Sequence, residues 1–201
     1  VIHQKLKTGG YIRTGFECYS LPDSPMTKAY QAGEAHYGAS GHQPGGRVNF
    51  IAVGSSSMSN LGNDYYVQNF YDISSYKKAL DKNLLPSFRG MKLSEDDKIR
   101  QHATQQIRSY FKIDFKNFKK QFNINFGEHF SKEIKYLNDF AKDGLVEISD
   151  NSILLNEIGR DFVQNIMNVF DRYDPPRKSY QDRLATAKKA KESQAAVQEQ
   201  I

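Results

Sequence analysis

The sequence predicts an α+β fold in which strands and ligand-facing loops come first and a mainly helical, winged-helix-like region follows. Three observations predict it. The segment from Arg47 to Gly54 (RVNFIAVG) carries a near-continuous apolar stretch, the pattern of a strand buried on both faces as in a parallel sheet. From residue 95 onward apolar residues recur at helical spacing. Val146–Ile148 and Ile153–Leu155, joined by a turn at 149–151, read as a small hairpin.

Composition narrows the class. The chain has 201 residues, 38% of them hydrophobic and 25% charged, which suits a globular protein with a buried core. No run approaches 18 apolar residues and the first ten are polar and basic, so neither a membrane span nor a signal peptide is expected, and the expected location is cytoplasmic. The first residue is Val1, and an extended segment, Tyr11 to Tyr19, follows a polar stretch and a turn at Gly9 and Gly10; the chain is expected to start inside a larger fold. The single cysteine, Cys18, excludes an internal disulfide and any cluster or zinc site ligated mainly by this chain's own thiolates, and the five histidines do not replace them. The net charge of +5 includes +2 from residues 174–201, leaving a surplus too thin for a nucleic-acid-binding stripe.

Three regions separate by composition: 1–92, rich in Gly, Ser, Asn and Tyr; 93–173, helical and charged; and 174–201, a Pro-marked exit into a polar, helix-prone tail. In the second region Ser94 caps a helix over 95–111, with Ile99, Ala103, Ile107, Tyr110 and Phe111 on one stripe. Asp114 caps a short helix over 115–122. A third helix, 127–142, places Phe130, Ile134, Leu137 and Ala141 inward and stops at Gly144. After the hairpin a last helix carries Phe162, Ile166, Met167, Val169 and Phe170.

Candidate functional residues concentrate in the first region. The loop Gly54 to Gly62, following the apolar strand, lies where ligands sit in parallel sheets, although Gly and Ser also suit a plain surface turn; it matches no nucleotide fingerprint. Tyr65, Tyr66, Gln68 and Asn69 would line a flat macrocycle, aromatic faces giving stacking area and amides fixing carboxylates, or would close the loop onto the helices. Glu17 and Cys18, on one strand, point to opposite faces: Cys18 reads as a small buried hydrophobe, and Glu17 either meets a ligand or pairs with Arg13. His36 and His42 flank a loop with no carboxylates to orient them, which weighs against a metal or heme-ligand pair. Arg89 and Arg100 have the chemistry to clamp carboxylates, though Arg100 beside Asp96 and Asp97 reads as a helical salt bridge. In the third helix, Lys132, Lys135 and Lys142 are balanced by Glu128, Glu133 and Asp139, which disfavours a groove-reading helix.

Several separate motifs agree on a family. Gly54-x-Ser56-x-Met58-Ser59, then Tyr66-Val67-Gln68-Asn69, Phe88-Arg89-Gly90 with Leu93-Ser94-x-Asp96-Asp97-x-x-Arg100, Phe140 to Val146, Gly159-Arg160, Asn165-Ile166 and Phe170-Asp171-x-Tyr173 occur in order. Over roughly residues 9 to 173 the chain resembles the C-terminal part of the oxygen-independent coproporphyrinogen III oxidase (dehydrogenase) family, of the radical S-adenosylmethionine superfamily. The resemblance implies the terminal strands of a partial TIM-like α/β barrel before the helical domain. It also implies a role in converting two propionates of a porphyrinogen to vinyl groups in heme synthesis, with S-adenosylmethionine and a 4Fe-4S cluster as cofactors.

The family's CxxxCxxC cluster loop lies in its N-terminal half, so the resemblance implies dependence on that missing half and a chain that is inactive alone. It assigns cofactor contact to Met58, where the family usually has Ile, together with Gly54 and Ser56. Ala39 and Ser40 stand where the family has an aromatic-Gln pair, which makes Ser40 a further cofactor-side residue. Tyr66, Gln68, Asn69 and Glu17 are substrate-adjacent. The departures at Ser40 and from Gly15 to Tyr19 leave two alternatives: a heme-binding or heme-transfer paralogue of the same family, and a winged-helix nucleic-acid-binding module.

Overall fold

A computed structural model describes residues 2–38, 41–45, 49–62 and 64–173. Along the chain they form helix α1 (Ile2–Thr8), strands β1 (Ile12–Gly15) and β2 (Cys18–Ser20), helix α2 (Pro25–Ala32), and strands β3 (His36–Gly38), β4 (Gly41–Gln43), β5 (Met58–Leu61) and β6 (Tyr65–Asn69). Helix α3 (Ile73–Asp81), strand β7 (Ser87–Lys92), helix α4 (Glu95–Tyr110), strand β8 (Lys112–Asp114) and helices α5 (Phe115–Phe122), α6 (Phe126–His129) and α7 (Ser131–Lys142) come next. Strands β9 (Val146–Ile148) and β10 (Ser152–Leu155) precede helix α8 (Val163–Met167), which lies between short 3-10 turns at Gly159–Phe162 and Asn168–Phe170. Packing gathers the described residues into two units, 2–45 with 99–173, and 49–98.

The first unit is built on phenylalanine. Phe111, Phe118, Phe126, Phe130 and Phe170 are fully buried, with Ile107, Ile113, Leu137, Ile153, Leu155 and Ile166 around them. Phe115 stacks on Phe126 at 4.5 Å between ring centroids, and Phe126 and Phe130 tilt together at 4.7 Å. Truncating one such ring costs about 3–5 kcal/mol. The α4 stripe faces this core as its spacing predicts: Ala103, Ile107 and Phe111 are buried and Ile99 is partly buried. Local chemistry sets the helix ends. The Asp114 carboxylate accepts from the Asn117 amide at 2.9 Å and opens α5. Gly144, in the left-handed region at φ 68°, ends α7, with the Leu145 amide donating to the Phe140 carbonyl at 2.9 Å.

Three expectations for this unit change. The helix expected over 127–142 is two, because Asn125 caps α6 and the chain breaks helical geometry at Phe130 before α7. A strand, β8, follows α4 and pairs with β10, so the hairpin becomes a sheet ordered β8-β10-β9. The extended segment Tyr11–Tyr19 is a hairpin: Phe16 and Glu17 form its turn, Glu17 at φ 56°, and the β1–β2 register shifts between Arg13 and Gly15. Phe16 donates its amide to the Arg108 carbonyl at 2.9 Å and packs on the phenylalanine core, which ties this early hairpin to α4.

The second unit is an antiparallel sheet ordered β5-β6-β7, with α3 between β6 and β7. The buried parallel strand expected over 47–54 is not there. Residues 47 and 48 lie outside the described residues, and from Asn49 the chain makes one antiparallel bridge, Phe50 to Asn60. Ile51 and Val53 are 77% and 85% exposed. Side chains hold the segment where a ladder would: Ser59 Oγ accepts from the Ala52 amide at 3.0 Å, and Asn69 donates to the Gly54 carbonyl at 3.0 Å. An apolar run thus records β-propensity at this position and not burial on both faces. The polar tail expected over residues 174–201 lies outside the described residues.

Gly159 tests the first unit's packing. A Cβ built there would stand 1.9 Å from the Leu145 carbonyl oxygen, a backbone atom that cannot step aside. Gly159→Ala is expected to lower stability by about 3 kcal/mol, a drop in Tm of roughly 6–12 °C. Gly127→Ala, whose Cβ would meet only Asn125 Oδ1 at 3.5 Å, is expected to leave Tm unchanged or slightly raised. Thermal melts of the two variants check both.

Candidate functional site

The second unit brings together six of the family-assigned residues, Gly54, Ser56, Met58, Tyr66, Gln68 and Asn69. Register aligns Met58 with Gln68 and Gln68 with Arg89, so these three side chains form one row on one face of the sheet. Two residues along, Asn60, Tyr66 and Met91 form the next row on the same face. Met58 opens β5 and is 43% exposed; it is neither core nor part of a loose loop.

Before β5 the chain passes through Gly54 at φ 105° and Ser56 at φ 60°. Left-handed backbone is easy at Gly54 and strained at Ser56. Ser56 is held from both sides: its amide donates to the Phe70 carbonyl at 2.7 Å and its carbonyl accepts from Gln68 Nε2 at 3.2 Å. The Gly54 amide donates to the Tyr76 hydroxyl at 3.0 Å, which anchors the turn to α3.

Gln68 also faces the other way. Its Oε1 accepts from the Tyr71 hydroxyl and from Arg89 Nε, each at 2.9 Å, and Arg89 Nη2 donates to the Tyr71 oxygen at 2.9 Å. The Arg89 guanidinium lies 5.8 Å from the Tyr71 ring centroid and 5.9 Å from that of Phe88. The register to β7 shifts between Gln68 and Asn69, which face Arg89 and Ser87 with Phe88 as the extra residue, and both amide side chains are buried. Their amides are engaged within the protein, so in this geometry Gln68 and Asn69 position other groups. Sequence reasoning missed Tyr71 and Tyr76 and gave Arg89 no partners. Period-2 alternation joining Tyr66 and Gln68, and Arg89 and Met91, was the available signal for the shared face.

Other assigned residues lie elsewhere. Glu17 is exposed at the β1–β2 turn of the first unit, so it does not share a strand with Cys18. Arg13 pairs with Asp161 at 3.0 Å and the Arg160 carbonyl at 3.0 Å, not with Glu17. Thr14 Oγ1 donates to Cys18 Sγ at 3.3 Å. Ser40 and Ala39 lie outside the described residues. Arg100 pairs with Glu133 at 2.8 Å and the Phe170 carbonyl at 3.2 Å, a structural tie from α4 to α7. Among the described residues no three His, Cys, Asp or Glu gather in a group able to hold a metal ion. No helix among them is long and apolar enough to cross a membrane.

His36 and His42 sit on the β3–β4 hairpin, His36 opposite Gln43 and His42 opposite Tyr37, so alternation places the two imidazoles on opposite faces. The His42 ring occupies the space a Cβ on Gly15 would fill, and Arg108 stacks over Tyr37 beside it at 3.7 Å. Burial, then the Arg108 charge, lower its pKa to about 4, and the Phe16 backbone only partly offsets them. The unfolded chain takes up this proton near pH 6.5 and the folded chain only near 4, so the group's contribution is complete above about 6.5 and is lost as pH falls toward 4. Tm is expected to fall across that window, and His42→Phe is expected to flatten part of the fall; melts at pH 7.0, 5.5 and 4.5 check it.

No protein-family model matches the chain. Curated relatives do. It is 31% identical over 172 residues to the oxygen-independent coproporphyrinogen III oxidase of Pseudomonas aeruginosa, covering 86% of this chain and 37% of that protein. The proteins of the same name from Escherichia coli K12 and Helicobacter pylori are each 30% identical over 168 residues, covering 84% of this chain and 36% of theirs. Among solved structures, the coproporphyrinogen III oxidase of Escherichia coli, described as a radical SAM enzyme, matches with a TM-score of 0.80 at 28% identity, over 86% of this chain and 39% of that one. The chain thus spans a little over a third of the length of the relatives it matches. In sequence and in fold alike, this chain is homologous to the C-terminal part of the oxygen-independent coproporphyrinogen III oxidase family, whose solved Escherichia coli member is a radical SAM enzyme.

Proposed function

We propose that the chain serves as the C-terminal portion of a radical S-adenosylmethionine oxidoreductase that decarboxylates porphyrinogen propionates to vinyl groups, and that it is inactive without a cluster-bearing N-terminal half. The observation that carries this reading is the coincidence of family motifs with one face of the β5-β6-β7 sheet: Met58, Tyr66, Gln68 and Arg89 come from three separate motifs and lie in two adjacent rows.

S-adenosylmethionine fits the residues present in one respect: Met58, exposed at the start of β5 beside the Ser56 turn, offers a thioether side chain to an apolar part of the cofactor. An iron-sulfur cluster does not fit, since Cys18 is the single cysteine. When bound, the two cofactors supply the radical chemistry. This chain's residues position: Gln68 and Asn69 fix the Gly54–Ser56 turn, and the turn presents Met58. In the first unit, the order α4, β8, α5, α7, β9, β10 with the sheet β8-β10-β9 supports the winged-helix-like reading of residues 93–173. The charge of α7, three lysines against Glu133 and Asp139, is too small a surplus for a groove-reading helix.

Two measurements test the reading. The 201-residue chain alone is expected to convert no coproporphyrinogen III anaerobically with S-adenosylmethionine and reductant, whereas the protein expressed with the coding sequence upstream of Val1 is expected to convert it; no conversion by either would sink the assignment. In that longer protein, Met58→Asp is expected to shift Tm by no more than about 2–4 °C, because the side chain is exposed, and to weaken S-adenosylmethionine binding roughly tenfold. A large loss of Tm, or unchanged affinity, would remove Met58 from the site.

A further inference from the structure

Arg89 is the least explained charge on the sheet face. Its two hydrogen bonds are to neutral groups, Nε to Gln68 and Nη2 to the Tyr71 hydroxyl, and its guanidinium lies near the Tyr71 and Phe88 rings. Among the described residues no carboxylate forms an ion pair with it. Lys98, another cation of this unit, pairs with Asp64 and Glu95. A guanidinium held by two neutral acceptors keeps its full charge and its remaining N–H donors, and its orientation is set in advance.

What surrounds it describes a ligand. Gln68 lies beside Arg89 and Met58 beyond Gln68 in the same row, and Asn60, Tyr66 and Met91 lie in the next row. Met58 is 43% and Met91 37% exposed. Two strand spacings separate the Met58 and Arg89 backbones, about 10 Å, and the rows are about 7 Å apart. The face thus carries two thioethers and a tyrosine ring around the engaged Gln68 amide and beside Asn60, over an area the size of a flat ring system, and is cationic at one edge. We propose that Arg89, oriented by Gln68 and Tyr71, receives a carboxylate at the rim of a flat, largely apolar ligand, a side-chain carboxylate of a tetrapyrrole. This rests on the reading above and adds the residue that would fix the substrate's orientation. The same chemistry would take the carboxylate of S-adenosylmethionine, and the experiment separates the two sources.

The probes are coproporphyrin III, the stable oxidised tetracarboxylate, and S-adenosylmethionine, each titrated separately into the full 201-residue chain and followed by fluorescence or calorimetry and by the 15N signal of Arg89 Nε. For wild type, coproporphyrin III is expected to bind and to move the Arg89 Nε signal. Arg89→Met is expected to weaken that Kd about tenfold or more, as loss of a charge-assisted hydrogen bond requires. Arg89→Lys is expected to recover only part of it, since a point charge lacks the fork, and Tyr71→Phe to weaken it less than Arg89→Met. S-adenosylmethionine affinity is expected to be equal in all four proteins.

Should wild type and Arg89→Met bind coproporphyrin III equally, the assignment of Arg89 is overturned while the conversion test of the family reading stands. A loss confined to S-adenosylmethionine would overturn the tetrapyrrole assignment. An absence of coproporphyrin III binding to wild type would overturn the carboxylate site on this chain. Equal far-ultraviolet spectra and Tm values across the variants, expected because Arg89 is exposed, keep folding out of the comparison.

Discussion

The second unit depends on the side chain of Gln68. A buried amide without partners costs about 1–3 kcal/mol, and here the donor side meets the Ser56 carbonyl while the acceptor side meets Tyr71 and Arg89. The same side chain therefore performs two tasks that would otherwise be independent. It holds Ser56 in a left-handed conformation that a serine does not adopt freely, and it fixes a guanidinium on an exposed strand. Asn69, the next residue on β6, reaches the Gly54 carbonyl from the adjacent position. Backbone strain before β5 and side-chain order on β7 are thus consequences of one buried group on β6.

The first unit solves a different problem, how to attach a polar N-terminal segment to a helical core. Arg13 on β1 reaches the 3-10 turn at Gly159–Phe162 through the Arg160 carbonyl and Asp161, and its guanidinium lies 5.1 Å from the buried ring of Phe111. Arg160 lies 4.9 Å from the same ring. Phe111 itself is left-handed at φ 58°, with its carbonyl taken by the Leu155 amide at 2.9 Å, so the turn that ends α4 is also the point where β10 docks. The Tyr110 hydroxyl donates to the Ala35 carbonyl at 2.9 Å, which adds the start of β3 to the same helix end. Residues more than a hundred positions apart converge on two consecutive aromatic residues, and this groups the first forty-five residues with the helices.

Much of the helical part was legible because its determinants are local. Ser94 and Asp97 form a reciprocal cap, the Ser94 amide donating to Asp97 at 2.8 Å; Asp114 caps α5, and the 99–103–107 stripe is the buried one. Each is readable from residues within one or two turns. The failures share a cause. Residues 47–54 satisfy the pattern of a buried strand, but whether Ile51 and Val53 are covered is decided by residues elsewhere. The hairpin at Phe16 and Glu17 lacks the Gly and Asn that mark a tight turn, because the Arg108 carbonyl and the phenylalanine core hold it in place. Strand β8 is three residues long and exists through its pairing with β10. The candidate site was legible as a set of motifs, Gly54 to Ser59, Tyr66 to Asn69 and Phe88 to Gly90, but not as a row, since strand register belongs to the pairing and not to any one segment.

Register also explains why a neutral cradle suits Arg89. A carboxylate at position 68 would have neutralised the guanidinium from inside the sheet and presented an oxygen, in place of the amide donor, to the Ser56 carbonyl. An amide satisfies that carbonyl and orients the arginine while leaving its charge outward. Because Arg89 is exposed, water screens that charge in the free chain at little cost, so its lack of a counter-ion does not strain the fold. The two flanking rings and two hydrogen bonds remove much of the rotamer freedom that a surface arginine would lose on meeting an anion. A pre-oriented cation at one edge of a row, and a thioether at the other, form a face whose polarity is set entirely by which residue of each strand falls opposite Gln68.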